Sequence, residues 1–139
     1  MTQQVRDIMT PEPVTCHRDS PIVDAAAAMR DSAVGDVIVL EDDQVYGILT
    51  DRDIAVRVVA EGVDPKQVTV GEVCSTGLVT IAPDEDAERA VDAMRQQAIR
   101  RLPVIDGRTP VGIVSIGDLA RERDSKSALA DISSAPPNN

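Results

Sequence analysis

Two short stretches place a carboxylate three residues after a hydroxyl: Thr50-Asp51-Arg52-Asp53 and Ser115-Ile116-Gly117-Asp118. Each follows a glycine and two aliphatic residues, Gly47-Ile48-Leu49 in one case and Gly112-Ile113-Val114 in the other. At the start of a helix this spacing is a capping box, with Asp replacing the usual Glu or Gln. The hydroxyl would accept from a first-turn N–H, and the carboxylate would favour the positive end of the helix dipole. Such a cap stabilises a helix by about 1 kcal/mol. The same atoms have a second chemistry open to them. A helix N-terminus attracts anions, a hydroxyl at its mouth can donate to a phosphate, and an Asp one turn in can accept from both hydroxyls of a ribose. The glycine either permits a close strand approach or leaves room for a flat base against the backbone.

Covalent or acid–base catalysis has little to build on. His17 is the only histidine, and Cys16 beside it would point to the opposite face of a strand, whereas a nucleophile and its base must converge. Cys16, His17 and Cys74 lack a zinc-binding spacing, and no P-loop is present. Glu41-Asp42-Asp43 and Asp84-Glu85-Asp86 read as turns and helix starts. The chain is therefore expected to be neither an enzyme nor a metal protein. Two cysteines make no disulfide framework and are expected as buried thiols in a reduced, cytoplasmic protein.

The formal net charge of the 139 residues is −10, which argues against a nucleic-acid partner. Lys66 and Lys126 are the only lysines, so arginine carries nearly all positive charge. Tyr46 is the only aromatic residue, so the core must be aliphatic. No apolar run approaches the roughly 20 residues of a membrane span, and MTQQVRDIM lacks the apolar stretch of a signal peptide.

The elements that must position the two boxes are themselves written twice. Val5 matches Val70, Val14-Thr15 matches Val79-Thr80, Ala28-Met29-Arg30 matches Ala93-Met94-Arg95, and Asp53 matches Asp118, with no gap from Val5 to Arg57. Each copy opens with a short helical turn (Val5–Met9; Val70–Cys74, the latter with Thr69 and Glu72 in capping-box spacing). A brief strand follows at Val14–Cys16 or Leu78–Ile81. A helix comes next, capped by Ser20 with Pro21 in its first turn, or by Asp84. Its apolar face is Ile22, Ala25, Ala26 and Met29, or Ala87, Ala90, Val91 and Met94. A hairpin joins Val37–Leu40 to Val45–Leu49 and Leu102–Ile105 to Val111–Val114. Pro103 cannot donate to a ladder and belongs at a strand start or edge. The closing helices run from Asp51 to about Ala60 and from Ile116 to about Arg123. The expected division is 1–64, 65–124 and a polar, Pro-rich tail over 125–139, disordered at its end.

This doubled β-α-β-β-α unit, with glycine, two aliphatics, hydroxyl-x-x-Asp and a further aliphatic at its last strand-to-helix junction, resembles a pair of CBS domains, a Bateman module. Arg100–Gly107, RRLPVIDG, is similar to the family's strand before the hairpin, and the resemblance covers Val5 to Asp124. The first copy departs from the pattern where Ile38 replaces the usual proline. The resemblance implies an α+β fold of tandem CBS domains packed sheet to sheet about a pseudo-twofold axis. It implies a regulatory module with no obligatory cofactor that binds AMP, ADP, ATP or S-adenosylmethionine in clefts between the copies. It also implies a homodimer with a protein partner. Carried over residue by residue, one cleft would combine Thr50 and Asp53 with Ile99, Arg100 and Arg101, and the other Ser115 and Asp118 with Val34, Gly35 and Asp36. Two guanidiniums can grip a phosphate with forked hydrogen bonds, and one unit-charge contact at about 4 Å is on the order of 4 kcal/mol before desolvation. The first cleft is therefore expected to take phosphorylated adenosine. The second, facing Asp36, would be empty or hold an uncharged or cationic adenosine compound. The alternative is a nucleotide-free module that dimerises through its helices and binds a protein.

Overall fold

The structure is a computed structural model, and it describes residues 3–123. The tail expected over 125–139 lies outside the described residues. The elements in chain order are α1 (Val5–Ile8), β1 (Thr10–Pro11), β2 (Thr15–His17), α2 (Ile22–Ser32), β3 (Asp36–Glu41), β4 (Gln44–Thr50), α3 (Asp51–Ile54) continued by a π turn (Ala55–Val59), α4 (Val70–Val73), α5 (Ala87–Gln97), β5 (Arg101–Asp106), β6 (Thr109–Ser115) and α6 (Ile116–Arg123). This is an α+β fold with two small three-stranded sheets, β2-β3-β4 and β1-β6-β5.

The chain folds as two compact units. A leading unit comprises Pro13–Leu78 with Arg108–Pro110, and a trailing unit the described residues of Met1–Glu12, Val79–Gly107 and Val111–Asn139. These are not the sequence repeats, because each repeat lends its first helical turn to the other's body. In the trailing unit, Val5 and Arg6 donate to the carbonyls of Glu85 and Pro83 at 2.8 and 2.9 Å, and Ala87 donates to that of Gln3 at 2.8 Å. In the leading unit the matching residues repeat the pattern. Val70 and Gly71 donate to Ser20 and Arg18, both at 2.8 Å, and Ile22 donates to Val68 at 2.9 Å. Burial drives the exchange. A four-residue turn cannot hold itself in water, but Val5 and Ile8 enter a core with Ala90, Met94, Leu102, Val104 and Val114. Val70 and Val73 likewise enter one with Ile22, Ala25, Met29, Val37, Val39 and Leu49.

In the leading sheet β2 runs parallel to β3, with Thr15 opposite Ile38, and β3 pairs antiparallel with β4, with Asp36 opposite Thr50. Among its described residues the trailing unit has no equivalent of β2. The strand expected at Leu78–Ile81 is a single bridge, Ile81 to Val104. Proline is the physical reason. The Ile38 N–H donates to the Val14 carbonyl at 2.9 Å, and Pro103 at the matching position has no N–H to give. The one bridge that needs no N–H from residue 103 remains, with Ile81 donating to the Pro103 carbonyl at 3.1 Å and Ile105 to the Ile81 carbonyl at 2.9 Å. Pro103 itself is fully buried on β5, an edge strand of its sheet, as expected.

The helix caps differ from expectation in detail. The residue before α2 is Pro21, not Ser20, and that before α5 is Asp86, not Asp84; neither helix has a side-chain cap. Both end on a left-handed alanine, Ala33 and Ala98. The closing helix of the first copy also changes character, since only Asp51–Ile54 is α-helical before the π turn.

Candidate functional site

Both hydroxyl–carboxylate pairs form at the junction between the last strand and the last helix. The Thr50 N–H donates to Asp53 Oδ2 at 2.9 Å, and the Asp53 N–H donates to Thr50 Oγ1 at 3.1 Å. The Ser115 N–H donates to Asp118 Oδ2 at 2.9 Å, and the Asp118 N–H to Ser115 Oγ at 3.1 Å. These are reciprocal capping boxes. Each leaves one carboxylate oxygen, Oδ1, outside the box, and each hydroxyl hydrogen remains able to donate to a further group.

The two outer oxygens have different neighbours. Arg57 Nε stands 4.0 Å from Asp53 Oδ1, beyond hydrogen-bond reach, because its Nη1 is drawn to the Val73 carbonyl at 2.7 Å. The Asp53 side chain is 16% exposed. Asp118 Oδ1 is instead bonded directly by the Arg121 guanidinium, and that carboxylate is 5% exposed. Arg121 is not among the site residues that the sequence points to. Its spacing of three from Asp118 on one helix was the signal that could have found it.

Each box is tied to the segment ahead of the hairpin in its own repeat. The Asp51 N–H donates to the Gly35 carbonyl at 2.9 Å, and the Ile116 N–H donates to the Arg100 carbonyl at 2.9 Å. Val34 and Ile99 fix those segments by donating to Met29 and Met94 at 3.0 and 3.1 Å. Asp36 and Arg101 begin β3 and β5. Thus Thr50 and Asp53 share the leading unit with Val34, Gly35 and Asp36, while Ser115 and Asp118 share the trailing unit with Ile99, Arg100 and Arg101.

Two of the chemical expectations change. The helix N-terminus at Thr50 offers no open cluster of donors: Asp51, Arg52 and Asp53 give their N–H groups to Gly35, to the Asp51 carboxylate and to Thr50. The glycines do not leave room for a base. A Cβ on Gly47 would stand 2.5 Å from the Ser75 carbonyl oxygen and 2.8 Å from Cys74 Sγ. One on Gly112 would stand 2.6 Å from Met9 Sδ and 2.8 Å from the Thr10 carbonyl oxygen. The borrowed segments run there: Ser75 exchanges N–H and carbonyl with Ile48 at 3.0 Å in each direction, and β1 pairs with β6 at Pro11 and Gly112.

Cys16 and Cys74 are free, half-buried and buried respectively. Burial pushes both thiols above the ordinary value of 9.0, helped by the charge of Asp24 at Cys16 and of Asp53 at Cys74. A thiol raised in the fold contributes stability that is complete below its unfolded value and lost as pH rises through the folded one. Urea unfolding followed from pH 8 to 10.5 should therefore show stability falling above about pH 9. Both thiols should alkylate slowly at pH 8 until the chain unfolds; rapid labelling of the folded protein would contradict this. His17 Nδ1 accepts from the Asp19 N–H at 3.2 Å. No cluster of three metal-ligating side chains exists among the described residues. No helix among them is long and apolar enough to cross a membrane.

Comparison with known proteins bears on these boxes. A family model for the CBS domain matches the chain twice, at residues 5–60 and 70–125. The chain is 44% identical over 133 residues to the CBS domain-containing protein YhcV of Bacillus subtilis, covering 93% of this chain and 94% of that protein. It is 36% identical to Hypoxic response protein 1 of Mycobacterium tuberculosis, covering 84% and 82%. Its fold is similar to the CBS domain pair of protein MJ0100, solved in complex with 5′-methylthioadenosine and S-adenosyl-L-methionine. The TM-score there is 0.80 at 26% identity, covering 91% of this chain and all of that one.

Proposed function

The chain belongs to the CBS-domain family, and from that premise we propose that it is a cytoplasmic regulatory module, not a catalyst, that binds an adenosine-containing ligand of the AMP, ADP or ATP class. The observation that carries this reading is the repeated box, in which a carboxylate is held rigidly with one oxygen outside the cap. A ribose diol needs such an acceptor, since both its hydroxyls can donate to one carboxylate. Asp53 and Asp118 hold the ribose, and the Thr50 and Ser115 hydroxyls donate to a phosphate or its equivalent. Arg100 and Arg101 supply the guanidiniums for the phosphate, in company with Ile99; Val34, Gly35 and Asp36 form the matching, acidic segment. The adenosine compounds seen with the MJ0100 pair support the ligand class. Binding shifts the chain between two states of different ligand affinity, and a protein partner reads the change.

Isothermal titration tests the reading. AMP, ATP or S-adenosylmethionine should bind the unmutated protein. Asp53→Asn/Asp118→Asn, which keeps an acceptor in each box but removes the charge, should weaken binding by roughly tenfold or more. Arg100→Ala and Arg101→Ala should weaken AMP more than adenosine. A folded protein that binds none of these compounds would reject the proposal.

One observation favours a second reading, a nucleotide-free module that dimerises through its helices and engages a protein. Val56 and Val59 in the π turn and Val63 just after it are exposed apolar side chains, the kind of surface that marks an interaction site. Under this reading sedimentation shows a dimer and nucleotides leave the melting temperature unchanged, whereas a bound ligand would raise it by mass action.

A further inference from the structure

The two boxes share backbone geometry but not the state of their outer carboxylate oxygen. Asp53 Oδ1 has Arg57 only at 4.0 Å, with that guanidinium drawn away to the Val73 carbonyl. Asp118 Oδ1 is already bonded by Arg121 Nη2. The residue that matches Arg121 in the first copy is Val56, which has no donor to offer. A carboxylate–guanidinium bond is charge-assisted and stronger than a bond from a neutral hydroxyl. A ribose arriving at Asp118 must therefore displace or share a partner that an arrival at Asp53 does not meet.

We propose that Arg121 is a specificity-determining residue that acts as a built-in competitor for the ribose acceptor of the second box, so that an adenosine ligand fills the Asp53 box first. The inference rests on the adenosine reading above. It adds, at the ribose acceptor itself, a second difference between the sites beside the one expected from Arg100 and Arg101 against Gly35 and Asp36. Arg121 is 38% exposed, so solvent screens the pair and the handicap is moderate rather than absolute.

Calorimetric titration with adenosine reads the competition, because an uncharged probe is indifferent to the loss of a positive charge near a phosphate. With Asp53→Asn silencing the first box, adenosine should bind weakly, and adding Arg121→Ala should tighten it about tenfold. Adding Asp118→Asn to that pair should abolish the gain. A variant that merely loses a structural ion pair would bind no better, so a gain of affinity separates the two roles. Should Asp53→Asn fail to fold, Arg121→Ala alone gives the same information as a tightened second binding event per chain. Unchanged or weaker adenosine binding in a folded Arg121→Ala protein overturns the inference while leaving the ligand reading intact, provided Asp53→Asn/Asp118→Asn still weakens binding. Absence of any adenosine compound on the unmutated protein overturns both.

Discussion

Gly47→Ala is expected to lower the unfolding free energy by about 2–3 kcal/mol, near the upper end for overpacking a filled space. The new methyl would sit 2.5 Å from the Ser75 carbonyl oxygen. That atom belongs to backbone and cannot rotate aside. Moving it strains the reciprocal pair between Ser75 and Ile48, which holds the borrowed segment of the second repeat on the leading unit. Gly112→Ala should be milder, about 1–2 kcal/mol. Its closest obstacle is the Met9 sulfur, part of a flexible side chain that can change rotamer, although the Thr10 carbonyl at 2.8 Å still resists. Urea denaturation of both variants, with slopes compared to confirm an unchanged native state, measures the order. Equal and small losses would show that the segments over the glycines yield easily.

Asp118→Ala is expected to destabilise by about 2–3 kcal/mol, and Asp53→Ala by about 1–2 kcal/mol. Both variants lose the carboxylate half of a capping box and leave the N–H of Ser115 or Thr50 without its acceptor. Only Asp118 also has a guanidinium bonded to its outer oxygen, and only that side chain is almost wholly buried. Asp118→Asn should recover part of the loss, since an amide oxygen can still accept from Ser115. Thermal or chemical unfolding of the four single Ala and Asn variants gives the comparison. An Asp53→Ala loss equal to that of Asp118→Ala would mean that the Arg121 bond adds nothing to stability.

Much of this architecture was legible in the chain. The gapless match from Val5 to Arg57 announced two copies of one unit. The apolar spacing of Ile22, Ala25 and Met29 and of Ala90 and Met94 marked helix faces that are buried in the fold. The spacing of Thr50 to Asp53 and of Ser115 to Asp118 announced capping boxes that close as read. Such features depend on neighbours within a turn or a hairpin, where covalent connectivity brings the partners together. Cap positions proved less legible, because Ser20 and Pro21, or Asp84 and Asp86, compete for one place and their surroundings choose between them.

By itself, then, the order of residues determined the repeat, the α+β class and the local chemistry of each box, since these follow from periodicity and from contacts three or four residues apart. Tertiary structure alone decided which segment packs on which body, with α1 joining the trailing unit and α4 the leading one. It also decided that sulfur and carbonyl atoms fill the space beside Gly47 and Gly112, and where the Arg57 and Arg121 guanidiniums settle. Those outcomes depend on competition among partners distant along the chain. A buried turn, a glycine or a long cationic side chain reads the same in sequence whichever partner wins.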